Sequence, residues 1–253
     1  MANDETIPQG VFFPCNRPIH VFRLIFGYVT HVTKPIQTEL HTIVDSTCLN
    51  TFIEIQINNI DKKNINKFIV VLGYKSRVLK KFLLKKFPEI KFEFVYNKNF
   101  RNNNSGQSFY YAHKKITTNE YIHLNCDCIF SKSHFKKLIK SNFKNLISVR
   151  ADIKLGDKME NVEAIKDKIT NLSLLNTPES KFKAFGVAKI SKKAMLKNIY
   201  LYKKLSAKEK KTVNYYTLIR RNIKKINYRL LKSTKNHLCE ANFQKDLSNF
   251  NLD

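Results

Sequence analysis

Apolar residues recur along this chain in two alternating rhythms. Short continuous runs suit buried strands at Val21–Phe26 (V-F-R-L-I-F), Lys67–Tyr74 (K-F-I-V-V-L-G-Y), Ile90–Tyr96, Tyr121–Leu124 and Asn145–Arg150. Between them the spacing turns helical. Leu49, Phe52, Ile53, Ile57 and Ile60 follow the N-cap candidate Thr47, and Ser76–Lys86 stops before Pro88. Gln107–Lys115 and Ser133–Lys140 read as two further helices. Strand and helix in alternation predict a parallel sheet with right-handed crossovers.

From Ala151 the rhythm changes. Val162–Ile165, Ile169–Leu175 and Lys183–Ile190 read as antiparallel strands around the turns Lys166–Asp167 and Thr177–Pro178. Helices over about Lys192–Lys203 and Ala207–Arg221, a strand at Ile226–Leu231 and a short helix near Gln244–Phe250 complete the pattern. The expected fold class is therefore α/β, a three-layer sandwich with a mostly parallel sheet and a smaller C-terminal lobe. Pro8, Pro14 and Pro18 make residues 1–20 an irregular segment ahead of a single domain over 21–253.

Composition narrows the classes. The 253 residues are 43% hydrophobic and carry a formal net charge of +26, so the chain folds and is strongly basic. Such charge suits nucleic acid, an anionic membrane surface or phosphorylated substrates. Lys far outnumbers Arg, and Asn and Ile are abundant, which an AT-rich coding bias also produces. No RNA-binding signature or zinc-finger spacing is present, so nucleic acid is not the favoured partner. Five scattered cysteines make no disulfide framework, and Cys126 and Cys128 read as buried thiols. No apolar run approaches a membrane span, and M-A-N-D-E-T lacks a signal peptide's basic start, so the expected location is the cytoplasm.

The chemistry centres on E-Y-I-H-L-N-C-D-C-I-F, Glu120–Phe130, where Asp127 follows an apolar run. Ligands of open α/β sheets gather outside the carboxyl ends of the strands. A carboxylate there can hold Mg²⁺ against phosphate oxygens. The competing reading makes Asp127 a cap for the helix Ser133–Lys140.

Four stretches carry a family resemblance: N-I-N-K-F-I-V-V-L-G-Y (Asn64–Tyr74), N-K-N-F-R-N-N-N-S-G-Q-S-F (Asn97–Phe109), N-C-D-C-I-F (Asn125–Phe130) and L-C-E-A-N-F-Q-K-D-L (Leu238–Leu247). In this order they resemble the nucleotidyltransferases that join CTP or another NTP to a sugar phosphate or choline phosphate. The likeness is to the phosphocholine and sugar-phosphate cytidylyltransferases of bacterial surface-polysaccharide pathways, and runs from about Val21 to Leu247. It implies a nucleotide-diphospho-sugar transferase-like fold, Mg²⁺ as cofactor, and an NTP, CTP first, with a phosphorylated small-molecule acceptor as partners. It further implies that Asp127 and Asn242 hold the metal, and that Gly27, Asn104, Ser105, Gly106 and Ser108 bind the nucleotide. Gly186 would meet the acceptor. A solvated turn with a Ser N-cap is the plain alternative for the Asn104–Ser108 loop, and a strand bulge that for Gly186.

The resemblance also implies a phosphate-wrapping loop of the form G-x-G-x-R followed by P-K. Here Gly27 precedes Val29 in place of the second Gly, His31 in place of the Arg, and Gln37–Thr38 in place of P-K. The catalytic positions are thus occupied by His31 and Thr38, with Lys34 nearby as a substitute cation, and Asn242 replaces a second Asp. Loss of cations weakens phosphoryl-type transfer strongly. Three readings follow: a nucleotidyltransferase with a degenerate loop, a catalytically impaired relative that binds nucleotide or a partner protein, or a basic nucleic-acid-binding protein. A glycosyltransferase would carry a D-x-D pair, and only Asp127 stands between Cys126 and Cys128.

Overall fold

The computed structural model describes residues 19–25 and 52–240. Phe26, Thr47, Leu49 and the expected helix near Gln244–Phe250 lie outside the described residues, as does most of the irregular segment over 1–20. The first half alternates as its sequence pattern predicts: β1 (Ile19–Ile25), α1 (Phe52–Asn58), β2 (Ile65–Leu72), α2 (Ser76–Lys86), β3 (Phe92–Tyr96), α3 (Ser105–Ala112) and β4 (Glu120–Asn125). Then come β5 (Cys128–Phe130), α4 (Lys132–Lys140), β6 (Leu146–Arg150), β7 (Asn161–Ile165), β8 (Lys168–Ser173) and β9 (Phe182–Ser191). The last elements are α5 (Lys192–Lys204), α6 (Ala207–Thr212), α7 (Tyr215–Asn222), β10 (Arg229–Ser233) and β11 (Leu238–Glu240).

One sheet takes the order β3-β2-β1-β4-β9-β6-β10-β8-β7. The expectation of a mostly parallel sheet is corrected here, because the sheet is mixed. β3, β2, β1 and β4 run parallel, as do β6 and β10, but β9 lies antiparallel between β4 and β6. The reason is in the connections. β7 and β8 form a hairpin with no intervening helix, which reverses the chain once, and β9 keeps the direction of β8, antiparallel to β7 and to β6. The part expected as a smaller C-terminal lobe contributes its strands to this same sheet.

Alternation along the strands explains the three layers. On β2, Ile69 and Val71 pack with Phe109 of α3 and with Met195, Leu218 and Ile219 of α5 and α7. Phe68, Val70 and Leu72 face the other way, toward Ile53 and Ile57 of α1, Leu83 of α2 and Phe135 and Leu138 of α4. Among the described residues no helix is long and apolar enough to cross a membrane.

The expected helix Ala207–Arg221 is broken in two. Ser206 and Glu209 form a capping box that starts α6, and Asn214 caps α7 by accepting from the Thr217 amide at 2.7 Å. Between them the Val213 carbonyl turns away to accept from the Gly106 amide at 3.0 Å. An added Cβ on Gly106 would sit 2.7 Å from that carbonyl oxygen and 2.8 Å from Val213 Cγ1.

Two outcomes follow. Gly106→Ala gains about 1 kcal/mol of helix propensity. The backbone clash costs about 1–3 kcal/mol and should win. Urea denaturation is expected to show lower stability, whereas Gly156→Ala, with open space around it, serves as the unaffected control. A Gly106→Ala variant as stable as the parent would contradict this packing. His134, buried and bonded through Nε2 to Ser148 Oγ at 2.9 Å, has its pKa lowered by burial from 6.5 to about 4. Its neutral form is the one that folds, so its contribution is complete above about 6.5 and is lost as pH falls toward about 4. His134→Gln should therefore flatten the acid limb of stability measured between neutral pH and about pH 5. An unchanged limb would show that other groups control it.

Candidate functional site

After Asn125 the chain turns through Cys126 and Asp127 into β5, at the carboxyl end of β4. Two carbonyl groups of this turn need donors, and Gln56 of α1 supplies both. Its Nε2 donates to the Asn125 carbonyl at 2.7 Å and to that of Cys128. Asn59 adds a bond to the Phe130 carbonyl at 2.8 Å. Helical periodicity puts Gln56 on α1 beside the apolar face of Ile53 and Ile57, and Asn59 follows just after the helix end, which explains how polar amides reach a buried turn.

β11 then pairs antiparallel with β5, setting Glu240 opposite Cys128. This pairing places a second carboxylate beside Asp127. Burial raises the Asp127 pKa from 3.8 to about 6, repulsion by Glu240 adds to the rise, and Lys183 partly opposes it. Lys183, on β9, forms an ion pair with Glu240 and lies 4.9 Å from the Phe185 ring centroid. Arg150 anchors β11 from below: its Nη1 donates to the Leu238 carbonyl at 3.0 Å and its Nε to Asp152 at 2.7 Å. The capping alternative for Asp127 fails, because Ser131 Oγ caps α4 by accepting from the His134 amide at 3.2 Å.

Cys128 is a free, buried thiol, and burial pushes it well above its ordinary range. Among the described residues no group of three His, Cys, Asp or Glu side chains is arranged around a metal position. Asp127 and Glu240 nevertheless suit a hard divalent cation. Both offer oxygen donors, burial and then repulsion by Glu240 make Asp127 hold its proton more tightly, and Mg²⁺ commonly takes one or two carboxylates with the rest from water and phosphate.

Gly186 of β9 lies against this turn. A Cβ there would fall 2.3 Å from the Asn125 side chain, and its backbone amide donates to the Cys128 sulfur. Only glycine lets β9 pass so close to Asn125.

The Asn97–Gly106 loop leaves the carboxyl end of β3, on the same sheet edge. Asn104 caps α3 by accepting from the Ser105 amide at 2.6 Å, and its Nδ2 donates to the Thr212 carbonyl at 3.3 Å. Ser105 Oγ accepts from the Tyr215 amide at 2.8 Å, and the buried Ser108 Oγ from Asn97 Nδ2 at 2.9 Å. With Gly106 on Val213, these residues tie the loop to the junction of α6 and α7. Tyr215 continues the connection: its ring stacks on His123 with centroids 4.2 Å apart, and His123 Nε2 lies 3.0 Å from Asn125 Oδ1. The loop and the Asp127 turn are thus joined through Tyr215 and His123.

Gly27, His31, Lys34, Thr38 and Asn242 lie outside the described residues, and with them the expected pairing of Asp127 with Asn242. Sequence reasoning missed three residues. Glu240 stood inside the quoted L-C-E-A-N stretch, and its acidic character was the available signal. Gln56 and Lys183 had none, since each matters through a contact distant in sequence.

Because Asp127 is buried, and next to another carboxylate as well, its charge opposes folding at neutral pH. Asp127→Asn should raise the thermal midpoint at neutral pH in the presence of EDTA, with a gain that shrinks as pH falls below about 6. A lower midpoint would mean the carboxylate is stabilised by contacts that outweigh the repulsion.

The fold recurs among solved structures. The inositol-1-phosphate CTP transferase from T. maritima matches at TM-score 0.68 and 15% identity, covering 93% of each chain. The CTP:phosphocholine cytidylyltransferase from Streptococcus pneumoniae matches at TM-score 0.67 and 16% identity, covering 91% of this chain and 96% of that one. The nucleoside-diphosphate-sugar pyrophosphorylase from Vibrio cholerae matches at TM-score 0.63 and 11% identity, over 92% and 97%. The chain therefore has the fold of the cytidylyltransferases and sugar nucleotidyltransferases. No curated protein sequence matches it. Residues 40–239 match the family described as "Domain of unknown function (DUF6564)", and the chain belongs to that family.

Proposed function

We propose that this protein binds an NTP, CTP first, at the carboxyl edge of β3, β1 and β4, and transfers its nucleotidyl group to a phosphorylated choline, sugar or similar small alcohol. The observation that carries the reading is the pair Asp127 and Glu240, gathered at the end of β4 by the pairing of β5 with β11. These two side chains would hold Mg²⁺, which supplies charge neutralisation for the phosphates when bound. Lys183 stands beside them as a cation able to meet an anionic substrate group. The neighbours' titles name CTP transfer to inositol-1-phosphate and to phosphocholine, which supports the choice of substrates to try first.

A second reading has its own observation. Ser105, Gly106 and Ser108 are already engaged by Tyr215, Val213 and Asn97. Together with Val29, His31, Thr38 and Asn242 at the substituted positions, this favours a protein that binds nucleotide but turns over at a small fraction of the rate of an intact loop.

Thermal shift with each NTP separates these possibilities. One NTP should stabilise the protein selectively, in a manner that needs Mg²⁺ and is lost in Asp127→Asn. At a hundred times its Kd the expected gain is about 2.7 kcal/mol. Stabilisation by no NTP, or equally in Asp127→Asn, would remove the proposal. Pyrophosphate release with CTP and choline phosphate then tests turnover. Combining Val29→Gly, His31→Arg, Thr38→Lys and Asn242→Asp should raise the rate by orders of magnitude, with single reversions doing far less. Robust turnover by the parent chain would show that its loop is competent as it stands.

A further inference from the structure

A second feature lies at the other end of β4. There a cavity of about 410 Å³ opens between the amino ends of β4, β6 and β10 and the first turn of α5. Four lysines line it: Lys144 ahead of β6, Lys192 and Lys193 at the start of α5, and Lys225 ahead of β10. Four lysines from three separate segments, all of them exposed, thus border one concavity. None of them forms an ion pair among the described residues. The lining includes one carboxylate, Glu120, and it is already paired with the buried Lys189 at 3.2 Å. With Glu120 offset by Lys189 behind it, the four lysines leave about four positive charges bordering the cavity. The positive end of the α5 dipole points the same way.

We infer that this cavity is an anion site that takes a small ligand carrying two or more phosphoryl groups. The charge decides the valence. A single carboxylate would leave most of the repulsion among the lysines in place, whereas a di- or triphosphate carries three to four negative charges near neutrality, about the number needed. Shape decides the size. The volume falls in the usual range of small-molecule pockets, about 300–1,000 Å³, and the site is concave. A duplex or a bilayer would instead need a continuous basic face. The chemistry of the donors agrees: ammonium groups on flexible stems meet phosphate as point charges, and the lining contains no Arg fork of the kind that recognises planar carboxylates. Ile226 is its single apolar residue, so little hydrophobic recognition is available.

This ligand is distinct from any nucleotide at Asp127. β4 runs six residues from Glu120 to Asn125, which puts the two ends roughly 17 Å apart. One triphosphate cannot engage both edges with its phosphates.

The experiment is calorimetric titration of the full chain with sodium tripolyphosphate at about 0.1 M salt, with EDTA present so that metal-dependent phosphate binding at the other edge is silent. The variant combines Lys144→Gln, Lys192→Gln, Lys193→Gln and Lys225→Gln. A second variant, Lys81→Gln, Lys85→Gln, Lys208→Gln and Lys211→Gln, removes the same charge from exposed positions elsewhere and controls for the overall field. The cavity variant should bind tripolyphosphate about tenfold or more weakly, and the control should stay close to the parent. A measurement on the unaltered chain makes the result independent of variant folding: tripolyphosphate should protect Lys144, Lys192, Lys193 and Lys225 from amine acylation read by mass spectrometry. Equal loss in both variants would assign the binding to diffuse charge and overturn the proposal. So would absence of binding or of protection. Tighter capture of an oligonucleotide or of anionic vesicles through the same four lysines would also overturn it, replacing the small ligand with a macromolecule.

Discussion

Two carbonyl groups in the turn after β4 point into a buried region, and a buried carbonyl without a donor is costly. The side-chain amide of Gln56 satisfies both, at Asn125 and Cys128. Much depends on that contact. It sets the direction in which the chain leaves β4, which sets β5, which is the strand that β11 can find. Without β5 in place Glu240 has no register, and Asp127 stands without a second carboxylate. The Arg150 guanidinium secures the same arrangement from the other side by holding the Leu238 carbonyl. The candidate metal position is therefore a product of main-chain hydrogen bonding more than of the carboxylates themselves, which repel each other.

That repulsion is informative against the rest of the molecule. The chain has 46 basic residues and 20 acidic ones, so an acidic side chain has cations at hand almost anywhere. Most ion pairs here are at least partly exposed and contribute little each. At the end of β4, by contrast, two carboxylates share one lysine, and Asp127 takes up a proton near neutrality. At the opposite end of the same strand the imbalance has the other sign. The two ends of β4 thus present opposite electrostatic environments along the length of one strand.

The loop after β3 shows how structural and binding roles compete for the same atoms. Ser105 and Ser108 are small, polar and placed on the correct edge, yet each hydroxyl already accepts a bond from the protein. Those bonds hold α3 against the break between α6 and α7, and Tyr215 passes the connection to His123 and Asn125. A nucleotide bound here has to use backbone groups, Asn104, or a rearrangement of these contacts.

The sequence by itself determined the local elements and their layers. β2 reads directly from I-V-V-L because strands buried on both faces are continuously apolar, and α2 from Ser76 to Lys86 because a helical period ends before Pro88. It also picked out Asp127, whose position depends only on following a strand. Tertiary structure decided whatever depends on partners remote in the chain. β5 and β11 are three residues each, too short to carry a pattern, and exist because they pair with one another across more than a hundred residues. The antiparallel placement of β9 between β4 and β6 follows from the one reversal between β7 and β8, and strand periodicity does not encode where β9 then inserts. The break at Val213 arises from a carbonyl drawn to Gly106, and the roles of Gln56, Lys183 and Glu240 from contacts that only the folded sheet creates. Periodicity reports which face of a segment is buried, and it is silent on which distant backbone group or charge will meet that face.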